Sequence, residues 1–139
     1  MILTCNYEEL VAIRTGANAY LEGEVSGGAV AAPSTTRAAV GSLRDKLASS
    51  ISVPTLSEQG VLQIAVGAIV EHLRSEMELL ILTAHPAAEQ SVAAYFDFAH
   101  ALSVLGRVED IGHEMGVLIE VMTGSAPDEE TIETFGFPD

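Results

Sequence analysis

Apolar side chains recur along this chain at intervals of three and four, the spacing of one helical face, and nowhere alternate long enough to predict a half-buried strand. Leu10, Ile13, Ala17, Tyr20 and Leu21 predict a first helix from about Asn6 to Leu21, opened by a capping box between Asn6 and Glu9. The Gly-Gly and Pro of "GEVSGGAVAAPS" predict a flexible connection over about 23–33. Val40, Leu43 and Leu47 predict a second helix beginning near Ser34. A second capping box, Thr55 to Glu58, opens a long helix to about Ala84, with Leu62, Val66, Ile69, Leu73, Met77 and Leu80 on its inner stripe. His85–Pro86 interrupts it, and the next helix is expected to start near Pro86, folding back as an antiparallel neighbour.

The segment from Pro86 to Met122 is helical in pattern, but its apolar stripe changes phase. Ala94, Tyr95, Phe98, Leu102 and Leu105 form one stripe, and Val108, Ile111, Met115, Leu118 and Met122 form another, rotated by about a third of a turn. Gly106 lies at the change, which predicts a kink there. "PDEETIETF" predicts a short acidic helix in the tail over 126–139, while "MIL" and "ISV" (51–53) are too short to predict strands. The expected fold is all-α: a single domain over 1–139, a compact bundle of about five helices around a central antiparallel helical hairpin.

Charge narrows the function. Twenty Asp and Glu against six Lys and Arg give a net charge of −14 across 139 residues. The basic residues are scattered, and phosphate backbones are bound by clusters of them, so nucleic acid is not an expected partner. A basic protein is, because an acidic field attracts it. No apolar run reaches the ~18 residues of a membrane span, and the first ten residues lack the basic start of a secretory signal. A lone cysteine, Cys5, makes no internal disulfide. These features lead us to expect a cytoplasmic protein.

"RVEDIGHEM" (107–115) concentrates the candidate chemistry, and it reads first as the solvated, acidic side of a helix. Two alternatives share its residues. Glu109, Asp110 and His113 have helical spacings that place metal ligands on one face, and Asp97-x-x-His100 repeats one of those spacings. Ferritin-like di-iron bundles use Glu-x-x-His, which this chain lacks. Arg107 and His113 stand in an Arg-x5-His spacing that resembles the active-site motif of the HEPN-type ribonucleases, small all-helical dimers. The resemblance covers these two residues and implies metal-independent RNA cleavage, with the arginine contacting phosphate and the histidine in acid–base chemistry. Val108 stands where that motif usually has a polar residue.

His72 and Glu76, one helical turn apart, lie at the edge of their helix's apolar arc and predict a partly buried His–Glu hydrogen bond. No phosphate-binding glycine loop, nucleophile elbow or zinc spacing is present. The expected function is therefore non-catalytic: protein–protein interaction without a cofactor, with homo-oligomerisation through the wide apolar arc at 61–70. Ile132, Phe135 and Phe137, set among tail acids, are the candidate partner-binding anchors.

Overall fold

The computed structural model describes residues 1–25 and 34–124. In chain order they form β1 (Ile2–Thr4), α1 (Tyr7–Val25), α2 (Ser34–Lys46), β2 (Ser50–Ser52), α3 (Leu56–Thr83) and α4 (Glu89–Thr123). All-α describes the architecture, with four helices among the described residues and one short ribbon. Most of the predicted connection at 23–33, together with the acidic fifth helix and its Ile132, Phe135 and Phe137, lies outside them. The first helix runs four residues past the Leu21 end expected from the pattern.

The two segments judged too short for strands do pair. β1 and β2 are antiparallel, with Leu3 opposite Ile51. Flanking bonds lengthen the ribbon: the Met1 amine donates to Val53 O at 3.0 Å, Val53 N to Met1 O at 2.7 Å, and Cys5 N to Ser49 O at 2.9 Å. Leu3 and Val53 are fully buried. Tertiary burial thus makes strands of segments with almost no periodicity of their own.

The capping box at Asn6–Glu9 is built in both directions, and the one at Thr55–Glu58 in its Thr55 half. The Asn6 side chain accepts from Glu9 N while Glu9 Oε1 accepts from Asn6 N, each at 2.8 Å. Thr55 Oγ1 accepts from Glu58 N at 3.1 Å. The helix after the turn starts at Glu89, three residues later than Pro86, because the chain first closes a turn in which Ala88 N donates to His85 O.

α3 and α4 form the central antiparallel hairpin, matched along their length by Gln59 against Val108 at one end and Arg74 against Phe98 near the middle. α1 packs on both helices and α2 on α3. The backbones of α1 and α3 approach closely at Gly16, where an added methyl would lie 2.5 Å from Ile69 Cγ2. Gly112 does the same for α4, admitting the buried Gln59 side chain, whose Nε2 donates to Val108 O at 3.0 Å and Gln63 Oε1 at 2.8 Å.

No break occurs at Gly106: α4 is one uninterrupted helix of 35 residues. Its buried stripe is Ala101, Val104, Val108, Ile111, Met115 and Ile119, in a single phase. Of the expected first stripe, Phe98 and Leu105 pack against the core while Tyr95 and Leu102 are exposed; of the second, Val108, Ile111 and Met115 are buried while Leu118 and Met122 are exposed. The phase change records which side of the helix is apolar, not a bend in its axis.

Candidate functional site

The core ends before the hairpin does. On α3 the last fully buried residue is Leu73, and on α4 the core stripe begins at Ala101. Between them, residues 74–100 carry one fully buried side chain, Ser91, whose hydroxyl has no hydrogen-bond partner. Tyr20 of α1 meets the ring of His72 edge-on, with centroids 6.1 Å apart, close to the level at which the core stops. Beyond this level the sequence stays apolar, and its side chains face outward.

Leu79, Ile81, Leu82, Val92, Tyr95 and Phe96 are 39–83% exposed, all within about two turns of the connection at 84–88. Tyr95 and Phe96 pack edge to face with centroids 6.0 Å apart. Charge is sparse at this end: across residues 79–96 Glu89 is the one Asp, Glu, Lys or Arg. The outward side of α4 carries Val92, Tyr95 and Leu102 before Gly106, and after it the exposed Glu109, Asp110, His113, Glu114 and Glu120 together with Val117, Leu118, Val121 and Met122.

At the base of this apolar end lies a cluster of ionisable groups. His72 Nε2 and Glu76 Oε1 are 3.1 Å apart, which is the predicted pairing, but only His72 is half-buried and Glu76 is exposed. The guanidinium of Arg74 lies 5.6 Å from the centre of the Phe98 ring. Burial pushes the carboxyl of Asp97 upward in pKa; His100 pulls it down and the negative charge of Glu76 adds to the rise. The hairpin therefore brings Glu76 of one helix close to Asp97 of the other. No three His, Cys, Asp or Glu side chains among the described residues converge in a metal-holding arrangement.

The structure separates the two residues of the HEPN-like spacing. Arg107 is not on a solvated face. It reaches under α1, where its Nη2 binds the Glu9 carboxylate and the Ser103 hydroxyl, and its Nη1 binds the carbonyl of Thr4. Glu9 is 2% exposed. Its burial works to raise the carboxyl pKa, but the hydrogen bonds from Arg107 and the Asn6 amide, the Arg107 charge and the Ser103 hydroxyl together hold it below its ordinary value. His113 is exposed, and six helical residues leave it about 120° around the axis from Arg107. Glu109 and Asp110 are exposed beside His113. The thiol of Cys5 is buried, and that burial, reinforced by Glu9 and opposed by Arg107, pushes its pKa up, away from the reactive thiolate.

Two open clefts complete the concave surface. One of about 300 Å³ lies between α2, β2 and the start of α3, with Lys46 and Glu58 as its charged walls. The other, of about 250 Å³, is lined by Met1, Leu56, Met115 and Ile119 among others and has no charged side chain in its lining. Neither assembles an acid–base pair with a histidine or cysteine.

Comparison of the chain with protein-family models, with curated proteins and with solved structures finds no match. No described helix is long and apolar enough to cross a membrane. The sequence pattern does not single out the apolar hairpin end: it places Tyr95 on an inner stripe and gives Leu79, Ile81, Leu82, Val92 and Phe96 no role. The signal that marks it is the phase change at Gly106, together with the absence of charge over 79–96 except for Glu89.

Proposed function

We propose that this chain is a non-catalytic protein-interaction module whose docking surface is the apolar end of the α3–α4 hairpin. One observation carries the reading: the buried core stops at Leu73 and Ala101 while the two helices continue, displaying large apolar side chains with Glu89 as the one charge over 79–96. Exposed apolar surface on this scale marks an interaction site on a folded protein. The acidic remainder of the surface, at net −14, keeps such a protein soluble and attracts basic partners towards it. The arrangement at Arg107 also supports a non-catalytic reading, since its guanidinium is taken up by Glu9, Thr4 and Ser103. A buried, protonated Cys5 thiol suits the reducing cytoplasm, where we place the protein.

Site-specific photo-crosslinking in cells tests this. A photoreactive side chain at Leu82 or Tyr95 is expected to form protein adducts, and one at Glu109 on the acidic face is not. Adducts absent at both hairpin positions, or no richer there than at Glu109, would remove the reading.

A further inference from the structure

Resting on that reading, we infer that the occupant of the hairpin end is a second copy of this chain, related by a two-fold axis, its hairpin completing a four-helix bundle. The near half of α3–α4 already sits in such a bundle, with α1 and α2 supplying the other two helices. Among the described residues, the far half has two helices and no second pair. An identical hairpin supplies two helices of matching length and apolar character, and a two-fold axis makes one surface complementary to itself.

Area agrees with a second copy. Leu79, Leu82, Val92, Tyr95 and Phe96 expose on the order of 600 Å² by their fractional exposures, without Ile81, which lies on the opposite side of α3 from Leu79. A stable pair of proteins buries about 800 Å² on each partner, so these side chains and their immediate neighbours are enough. Charge also agrees. Two molecules of −14 repel one another, and an interface between copies must lie where acids are absent. Residues 79–96 come nearest to that condition, with Glu89 as their one acid and no Lys or Arg. In the stretch at 61–70, Ala65, Val66, Ile69 and Val70 are buried in the chain's own core, while Val61 and Ile64 are exposed.

The interface has a signature that separates it from docking of a basic partner. Salt screens repulsion between like-charged protomers and leaves apolar burial intact, so self-association tightens as salt rises. Attraction between this acidic chain and a basic protein weakens under the same change.

Sedimentation velocity of the full chain over a concentration series, at roughly 50 mM and 500 mM sodium chloride, is the test. The expected result is twice the 14.6 kDa chain mass, a dissociation constant lower at high salt, and a shift to monomer in Leu82→Glu/Tyr95→Glu. Both positions are exposed, so that variant keeps its helical circular dichroism. Val117→Glu, exposed on the acidic face, stays dimeric. A wild-type monomer at about 100 μM, far above the micromolar constants of ordinary stable pairs, would overturn the inference. A dimer that survives Leu82→Glu/Tyr95→Glu, or one that weakens with salt, would overturn it too. If the chain is monomeric while Leu82 and Tyr95 still crosslink to other proteins, the docking surface stands with a different occupant. Without those adducts, both proposals fall.

Discussion

The guanidinium of Arg107 closes on the buried carboxylate of Glu9, 98 positions away in the chain, and so locks the start of α1 to the middle of α4. The same carboxylate caps its own helix through the Asn6 amide. One acidic side chain thus serves a local bond that the sequence spacing announces and a distant one that it does not.

This pair sets the acid response of the fold. Glu9 has its carboxyl pKa lowered below the ordinary 4.5. The unfolded chain therefore takes up its proton first as pH falls. The stability due to this group is present above about pH 4.5 and lost as pH drops through the lower, folded value. Arg107→Ala leaves the Glu9 charge buried with its capping bond from the Asn6 amide and the Ser103 hydroxyl. Arg107 is itself 37% exposed, so the expected loss is about 2 kcal/mol at neutral pH, below that for a fully buried pair. Chemical denaturation at pH 7 and pH 3 checks this: the difference between wild type and Arg107→Ala shrinks at the lower pH.

Glycines in α1 and α4 give opposite responses to the same change. An added methyl at Gly16 meets Ile69 and Leu73, and one at Gly112 meets the Gln59 amide. Overpacking of this kind exceeds the helix-propensity gain of alanine, for a net loss of about 1–2 kcal/mol in each variant. At Gly106 nothing lies within 4 Å. Gly106→Ala is therefore expected to raise stability by about 0.5–1 kcal/mol. Thermal melting distinguishes the straight helix from a kinked one, since a glycine required by a bend resists the change.

Periodicity made the helices legible, and capping chemistry located the starts of α1 and α3 at Asn6 and Thr55. The hairpin followed from His85–Pro86. Three features were not legible, each for a physical reason. β1 and β2 exist through pairing between residues about fifty positions apart, a relation that no local window contains. An apolar stripe shows that a helix face avoids charge, but not whether this chain or another molecule covers it. For that reason Tyr95 and Leu102 were assigned to a core that stops at Ala101. Arg107 was placed on the wet side by its acidic neighbours, while its own partner, Glu9, was hidden by distance along the chain.

Cys5 offers a probe of the same junction. Its thiol is buried, with its pKa pushed up by that burial. Native protein is expected to react with a water-soluble aromatic disulfide at a rate set by opening of the β1–β2 ribbon, orders of magnitude below that of the unfolded chain. Arg107→Ala loosens the Thr4 carbonyl next to it and should speed the reaction. Labelling as fast in native as in denaturant would show that the N-terminal ribbon does not hold.

Asp97 gives the opposite pH sign to Glu9. Burial is the main cause of its raised pKa; His100 opposes the rise, and Glu76 on the facing helix adds to it. Between the ordinary carboxyl value of 3.8 and the raised folded value, the folded chain holds the proton more tightly than the unfolded one. The associated stability is fully present below pH 3.8 and lost as pH rises through the folded pKa, so at neutral pH the ionised carboxylate is a burden on the hairpin. Asp97→Asn removes the charge at constant shape. It is expected to stabilise the protein at pH 7 by about 0.5–1 kcal/mol, the scale of a partly screened repulsion, and to have little effect near pH 3. Urea titrations at both pH values and one fixed protein concentration decide this. A variant less stable than wild type at pH 7 would mean that attraction to His100 outweighs burial and the Glu76 charge. Asp97 would then be a tie across the base of the hairpin, where a raised pKa makes it a strain.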